Sequence, residues 1–455
     1  MIAAWWFISP LAHDQSRKAW RHMTPSSSVG MIRSSTGGLK PERHIRSNRK
    51  RLPVLFAIIF VIFASAACMN DLTPQGGWSA PVVQDEMLLV GNRDGNLVRF
   101  DPSTGNLDLN WRYPSEDGLG AIYGSPVIVG DNVYDAGYTC RGDNCDGEIF
   151  AVSLADGFSI WGPTGLELNT KLVGQIAVIG TTLLVGTSAL GEENDGADGY
   201  LYALYTAPGS PRVKWRIALD GNAWSGVAVE GLTAYVATLA GTVYAINAAD
   251  DERFDSDPSS RIQWTFAADS AVAGPIQVES GNIFFGDLGS NVYKLNTTSR
   301  SASSSDSDVN TGNGEWKTDV GTWVWAKPLI ENGVVFVSGL DGSIHALDEI
   351  TGSERWSTSI EGQIVSAPTL FDRKRGDTRE RALAVPSSEK NVWVVSVIDG
   401  QPLGVFLTDE PVKSTPLIYG DKLYAHTLNG DLKWFTVDDT NQRGCVDLKD
   451  GGLCD

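Results

Sequence analysis

The sequence predicts an all-β protein, an eight-bladed β-propeller of four-stranded antiparallel blades, and three observations predict it. One short phrase recurs eight times from Ser79 onward, most cleanly as GNLVRFDPSTGNLDLNW at 95–111 and GSIHALDEITGSERW at 342–356. Each copy alternates apolar residues with period two, turns at Thr-Gly, and closes a following strand with Trp, which is a hairpin pattern. The copies are spaced by 40 to 53 residues, a period that marks a propeller or array.

Each unit opens with small residues and, in most copies, Pro leading into an apolar strand. These lead-ins are Ser79-Ala80-Pro81, Ser125-Pro126, Gly174-Gln175-Ile176, Ser225-Gly226-Val227, Gly274-Pro275, Lys327-Pro328, Ala367-Pro368 and Thr415-Pro416. A second apolar strand follows (87–91, 183–187, 334–338 and 423–426), then a third built around a small residue, as in Tyr244-Ala245-Ile246 and His345-Ala346-Leu347. The fourth ends in Trp111, Trp161, Trp215, Trp264, Trp316 or Trp356, with Phe406 in the seventh unit. Six aromatics at one repeat phase are expected to dock blade on blade, each indole stacking over the small residue of the facing blade. The eighth unit, ending near Val437, has no such Trp, and the stretch 70–74 is expected to supply its closing strand and so hide two sheet edges. The expected organisation is a non-structural extension over 1–30 with Met31 as the start, a lipoprotein signal over 31–67, and a linker over 68–77. The propeller is placed at 78–437 and a disulfide-bearing tail at 438–455.

These copies resemble the repeat of the PQQ-like (pyrroloquinoline quinone) propeller superfamily, across about 78–437. Its members include the quinoprotein dehydrogenases and the BamB-type lipoproteins of the outer-membrane β-barrel assembly machinery. The resemblance implies the fold; the motif is not specific to one activity. A WD40 propeller is disfavoured, because no Gly-His or Trp-Asp dipeptide occurs.

The N-terminus reads as an export signal. Arg43, Arg46, Arg49, Lys50 and Arg51 precede the apolar run 52–67, and Ser65-Ala66-Ala67-Cys68 resembles a bacterial lipobox with Ser65 where Leu is usual. As a helix that run would reach roughly 24 Å, short of a ~30 Å hydrocarbon core, which favours a cleaved signal and lipidation at Cys68. Of five cysteines, Cys68 stands apart and the others fall into two close pairs, Cys140/Cys145 and Cys445/Cys454, expected as disulfides in an exported protein. The first 67 residues hold ten of the 36 Lys/Arg and two of the 55 Asp/Glu, so the remainder carries a net charge of −27 and repels nucleic acid.

Catalytic signals are sparse. Beyond residue 67 only His345 and His426 remain, and neither is bracketed in sequence by a Ser and a carboxylate at recognisable spacing. The acidic loops 143–148, 192–198, 250–257 and 306–314 are expected to be solvated insertions rather than calcium sites; Asp306-Ser-Asp308-Val-Asn310 starts like a calcium loop but lacks its later Gly and Glu. No metal and no cofactor is expected. PQQ with calcium belongs to the quinoprotein alternative, whose carboxylate ligands and adjacent cysteines, by resemblance, have no counterpart here.

One ring of positions stands out. Three residues before the last lead-in position lie Trp78, Tyr123, Val173, Trp224, Val272, Trp325, Val365 and Lys413, expected at the mouth of the central channel. The forty residues leading into the eight strands contain no Asp or Glu and only Lys171, Lys327 and Lys413 as charges. Trp78, Tyr123, Lys171, Trp224, Trp325, Lys327 and Lys413 are therefore the candidate binding residues, suited to an anionic or sugar-like ligand or a partner's peptide. The reading that follows is a non-catalytic, lipid-anchored envelope scaffold of the BamB type, contacting envelope proteins through loops and sheet edges. A ligand-binding sensor propeller and a PQQ-dependent dehydrogenase are the alternatives.

Overall fold

Eight four-stranded antiparallel sheets succeed one another along the chain in a computed structural model. It describes residues 76–454 apart from 116–117, 143, 191–195, 255, 299, 301–303 and 310. Cys68, the apolar run 52–67 and the stretch 70–74 lie outside the described residues. The first blade is Val82–Gln84, Met87–Gly91, Leu97–Asp101 and Asn106–Tyr113, each strand paired with the next. The same order recurs over 127–168, 177–219, 227–267, 277–319, 329–359, 369–407 and 417–447. No described helix is long and apolar enough to cross a membrane.

The blades pack face to face, so their middle strands are covered on both sides and read as continuous apolar runs. Successive residues serve different seams: Leu183 and Val185 pack toward the second blade, whereas Leu184 packs toward the fourth. The core is thus a set of seams between neighbouring blades, each drawing on two units of the repeat.

Five of the six docking tryptophans are buried, with exposures of 1% (Trp111, Trp161), 3% (Trp316), 4% (Trp264) and 6% (Trp215), while Trp356 is half-buried. Four donate their indole N–H to the turn that precedes the next blade's outer strand: Trp111 to Leu154 O (2.9 Å), Trp161 to Ala207 O (3.1 Å), Trp316 to Glu349 O (2.9 Å) and Trp356 to Val397 O (3.2 Å). The small residue beneath the ring is not the expected alanine. Ala203, Ala245 and Ala346 are cross-strand neighbours of Trp215, Trp264 and Trp356 within the same sheet, where a methyl leaves the indole room to lean outward. The stacking surface on the next blade is a turn glycine: a Cβ on Gly157, Gly352 or Gly400 would come within 3.1, 2.6 and 2.5 Å of Trp111, Trp316 and Trp356. Those glycines also hold φ of +74°, +71° and +72°, so both geometry and space exclude a side chain.

The eighth blade corrects the expected closure. Its outer strand is Asp439–Asp447, from the stretch assigned to the tail, so the propeller continues past Val437. The docking indole is present but has moved one strand inward. Trp434 on the third strand faces Gly444 on the fourth, the reverse of the Ala346/Trp356 arrangement. A Cβ on Gly444 would sit 2.0 Å from Trp434, whose ring reaches across toward Gly105 of the first blade. Around it Leu88, Val90 and Phe100 pack on Tyr424, Leu432 and Val446. Asn92 Nδ2 donates to Leu448 O (3.0 Å) and Lys422 Nζ to Pro102 O (3.3 Å), which tie the last blade to the first.

Two further features lie outside the repeat. Ser304–Ser305, in an insertion of the fifth blade, pairs parallel with Ile262–Ala267 and covers the outer edge of the fourth. Arg300 pins that insertion by an ion pair to buried Glu315 (2.9 Å) and by stacking over Phe266 (4.9 Å). Cys140 is joined to Cys145 near the tip of the long hairpin Asn132–Arg141/Asn144–Ser153, and Cys445 to Cys454, which folds the chain end back on the last strand.

Candidate functional site

The lead-in segments touch one another in sequence around the ring. Ser125 N donates to Gln175 Oε1 (2.8 Å), Gln175 Nε2 donates to Ser125 O (2.7 Å), and Val227 N donates to Gln175 O (2.8 Å), which links the second, third and fourth blades. Thr369 Oγ1 donates to Pro416 O (2.5 Å) between the seventh and eighth, and His426 Nδ1–H donates to Ser79 O (2.8 Å) between the eighth and first. A Cβ on Gly274 would lie 2.1 Å from the Trp325 carbonyl, so small lead-in residues are required by close backbone approach.

Backbone bonding also sets the phase of the ring. The N–H groups of Ala223, Val272, Val324 and Val412 donate to Thr187, Thr238, Asp287 and Ser387 at 3.0–3.1 Å. Val272 therefore matches the fully covered residue just before each mouth position, and the fifth blade presents Ala273 rather than Val272. Counting from Pro275 misplaced it by one, because Ile276 is the residue equivalent to Pro328.

The mouth residues form two aromatic groups. Trp78 meets Tyr123 edge-on (4.5 Å between centroids), Tyr123 stacks on Tyr138 (5.8 Å), and Lys413 Nζ lies 5.0 Å from the Trp78 ring centre. Trp224 and Trp325, from the fourth and sixth blades, approach to 6.3 Å, with small Ala273 on the blade between them. Trp224 Nε1 donates to Ser188 Oγ (3.1 Å), which fixes its ring. Lys327 is half-buried two residues beyond Trp325, and Lys171 is exposed. Burial pushes the Lys327 and Lys413 ammonium groups below the ordinary lysine range, and burial, with Tyr138 adding to it, pushes the Tyr123 phenol up. Tyr138 was missed in sequence because it sits on a second strand longer than the repeat provides. Its hairpin is held to the mouth by reciprocal backbone bonds with Ala121 (2.9 and 3.0 Å).

Outside the aromatic groups, acids that follow outer strands lock to the next blade. Asp220 accepts from Thr238 (2.8 Å) and Thr242 (2.5 Å), Asp269 pairs with Lys317, and Glu410 accepts from Thr427 (2.5 Å) and Asn429 (2.8 Å).

His345 has the neighbours that sequence spacing did not reveal. Its Nδ1–H donates to Glu354 (2.7 Å) and its Nε2 meets Ser343 Oγ at 3.0 Å. The distances are those of a serine triad, but Ser343 donates its hydroxyl hydrogen to Asp341 (2.7 Å) and is 8% exposed. A nucleophile needs its proton available to the imidazole and its oxygen open to substrate. Here the proton is directed to a carboxylate and the oxygen is covered, so the set fastens adjacent strands.

A sequence profile of the family described as outer membrane protein assembly factor BamB matches residues 69–167, 145–303 and 258–450, and so spans all eight blades. The chain belongs to this family. It is 31% identical over 130 residues to the outer membrane protein assembly factor BamB of Shewanella oneidensis, a stretch covering 26% of this chain and 32% of that relative. The aligned part thus spans about a third of that relative's length. Among solved structures, BamB from Moraxella catarrhalis superposes with TM-score 0.56 at 16% identity, covering 78% of this chain and 93% of that one. The computationally designed Ika8 protein superposes with TM-score 0.58 at 11% identity, covering 80% and 98%. Both likenesses concern the fold.

Metal-ligand groupings in this BamB-family propeller are accounted for by other bonds. Among the described residues Asp431, Cys445 and Cys454 lie close enough to share an ion, but both sulfurs are in the disulfide. In the acidic loops Asp251 is bound by Arg253, Asp257 caps a short 3₁₀ turn through Ser259 N, and Asp308 accepts from Ser305. The loops 143–148 and 192–198 lie partly outside the described residues, as does Asn310.

Proposed function

We propose that this protein is a non-catalytic envelope scaffold of the BamB type, held at a membrane by lipid on Cys68 and engaging barrel-assembly or similar envelope proteins through loops and sheet edges. The family match across every blade carries the reading. The mouth argues in the same direction. Holding PQQ with calcium would need carboxylates there, and the lead-ins supply none, while nearby Asp220 and Glu410 are committed to hydroxyl and amide donors of the next blade. These residues do not fit the quinone–calcium group. Exposed outer strands leave backbone groups for strand addition, the mode by which such edges recruit partners.

Cross-linking in intact envelopes followed by mass spectrometry tests the scaffold: outer-membrane assembly proteins should be recovered. A Cys68→Ser chain should accumulate as unprocessed precursor, because the thiol is the lipid acceptor. Recovery of soluble metabolic enzymes alone, or PQQ- and calcium-dependent dye reduction abolished by chelation, would count against the reading.

A further inference from the structure

The outer strand of each blade is a sheet edge, and proteins blunt such edges with charge or cover them. Two of the eight outer strands, Ile262–Ala267 in the fourth blade and Pro402–Leu407 in the seventh, have no charged residue. Each of the other six carries at least one, among them Asp108, Glu167, Lys214, Lys317, Glu354 and Asp439. The fourth blade's uncharged edge is covered by the chain's own insertion, with Ser304–Ser305 lying beside Phe266 and Ala267 as a fifth, parallel strand. The seventh blade's uncharged edge ends its sheet, and no described strand lies beyond it.

The two edges correspond residue by residue. Gly404 pairs with Val394 as Trp264 pairs with Ala245, so Phe406 and Leu407 match the covered Phe266 and Ala267. Thr408 N donates to Lys390 O (3.1 Å) as Ala268 N donates to Gly241 O (2.8 Å), which sets the same alternation in both ladders. Val405 and Leu407 therefore turn their N–H and C=O groups away from the sheet, as Thr265 and Ala267 do on the side where Ser304–Ser305 lies. Leu407 is 58% exposed and Val405 half-buried. Leu403 O accepts from Arg373 (3.2 Å) and Pro402 has no N–H, so the open stretch is as short as the one the insertion covers in the fourth blade. An added strand would strip water from any charge on such an edge, which accounts for the lack of charge on both.

We propose that the edge at 405–407 receives a strand from a partner protein, an extended, uncharged segment with alternating apolar residues. Outward backbone groups supply the pairing, and the side chains of Val405 and Leu407 favour an apolar neighbour. The class of occupant rests on the scaffold reading, whereas the open edge does not. A second copy is disfavoured by charge, since each chain beyond residue 67 carries a net −27.

Fluorescence anisotropy of a labelled peptide of alternating threonine and valine, titrated with the purified full chain, tests the edge. Two isomers of the peptide, N-methylated on every threonine or on every valine, separate backbone pairing from apolar contact. The parent peptide should bind, and one isomer should lose about tenfold or more in affinity while the other keeps it, because only alternate N–H groups face the blade. Leu407→Lys, at an exposed site, should keep the native melting point and lose about tenfold or more in affinity. Val213→Lys, on the already charged third edge, should bind as the native chain does. No binding of the parent peptide, equal binding of both isomers, unchanged affinity in Leu407→Lys, or an equal loss in Val213→Lys would each overturn the edge. A native dimer that Leu407→Lys dissolves would overturn it too, by giving the edge to a second copy. In intact envelopes Leu407→Lys should lose at least one partner cross-link. Survival of every cross-link would overturn the edge and leave the scaffold reading standing, whereas peptide binding without any envelope cross-link would sink the scaffold reading alone.

Discussion

The seam between the fifth and sixth blades and the seam between the eighth and first solve one packing problem in opposite ways. At the former, Trp316 on the outer strand lies over Gly352 and bonds Glu349 O, with Lys294 on the third strand donating to the same carbonyl. At the latter, Trp434 comes from the third strand and the fourth offers Gly444, so the indole has changed strands and only here needs a glycine opposite it. An indole can reach the next blade from either strand. The repeat therefore keeps an indole over the next blade's turn rather than a Trp at one position.

The largest expected effect falls on the ordinary seam. Trp316→Ala should cost about 3–5 kcal/mol in denaturant unfolding, the range for removing a large buried aromatic. Trp434→Ala, at the half-buried exchanged position, should cost less, and Trp224→Ala at the mouth less again. Equal losses at Trp316 and Trp434 would show that the exchange preserves full docking energy. Gly444→Ala should cost about 1–3 kcal/mol through overpacking. Its effect should largely disappear in a Trp434→Ala background, because the methyl then has room; additive losses would show that Gly444 serves its backbone instead.

Two further changes test polar groups near the seams. Asp135 is buried, its Oδ2 has no hydrogen-bond partner among the described residues, and the equivalent residues are all apolar: Val90, Val185, Val236, Phe285, Val337, Val385 and Ala425. Burial drives its carboxyl well above the usual range, partly offset by the Ala136 N–H. Folding then favours the protonated form, so its contribution is complete below about pH 3.9 and lost as pH rises through the folded value. Asp135→Val should stabilise the protein by about 1–3 kcal/mol at pH 7 and remove that slope. The smallest effect belongs to His426, whose buried Nε2 has no partner and whose basicity burial lowers, against the Ser79 bond. The neutral ring is the folded form, so stability should be full above about pH 6.5 and fall as pH drops through that value toward the folded one. His426→Leu should flatten this acid limb; an unchanged slope would move its origin elsewhere.

The blade count and strand order were legible because apolar runs and Trp-ended strands recur at one phase. Closure was not, since a search for Trp on the fourth strand passes over Trp434, and Gly444 carries no signal by itself. Ala273 was missed through a Pro one residue out of register, which only backbone bonding could reveal. The Ser343, His345 and Glu354 set was invisible because Glu354 is reached across a strand pair rather than along the chain. At the mouth, residue types pointed to Trp78, Trp224 and Trp325, but which rings meet depends on the width left by a neighbour.

Every blade takes its four core strands from one contiguous stretch, and none is borrowed from the far end of the chain. A nascent or translocating chain can accordingly complete each blade as it emerges, from short-range contacts alone. Seven blades can stand before the final stretch arrives. Leu448 O, which receives Asn92, directly follows the outer strand of the eighth blade, so the circle stays an open arc until that blade has been made. A chain truncated before residue 439 should retain that arc, with the flanks of its first and last blades bared as sticky surfaces rather than sealed against each other.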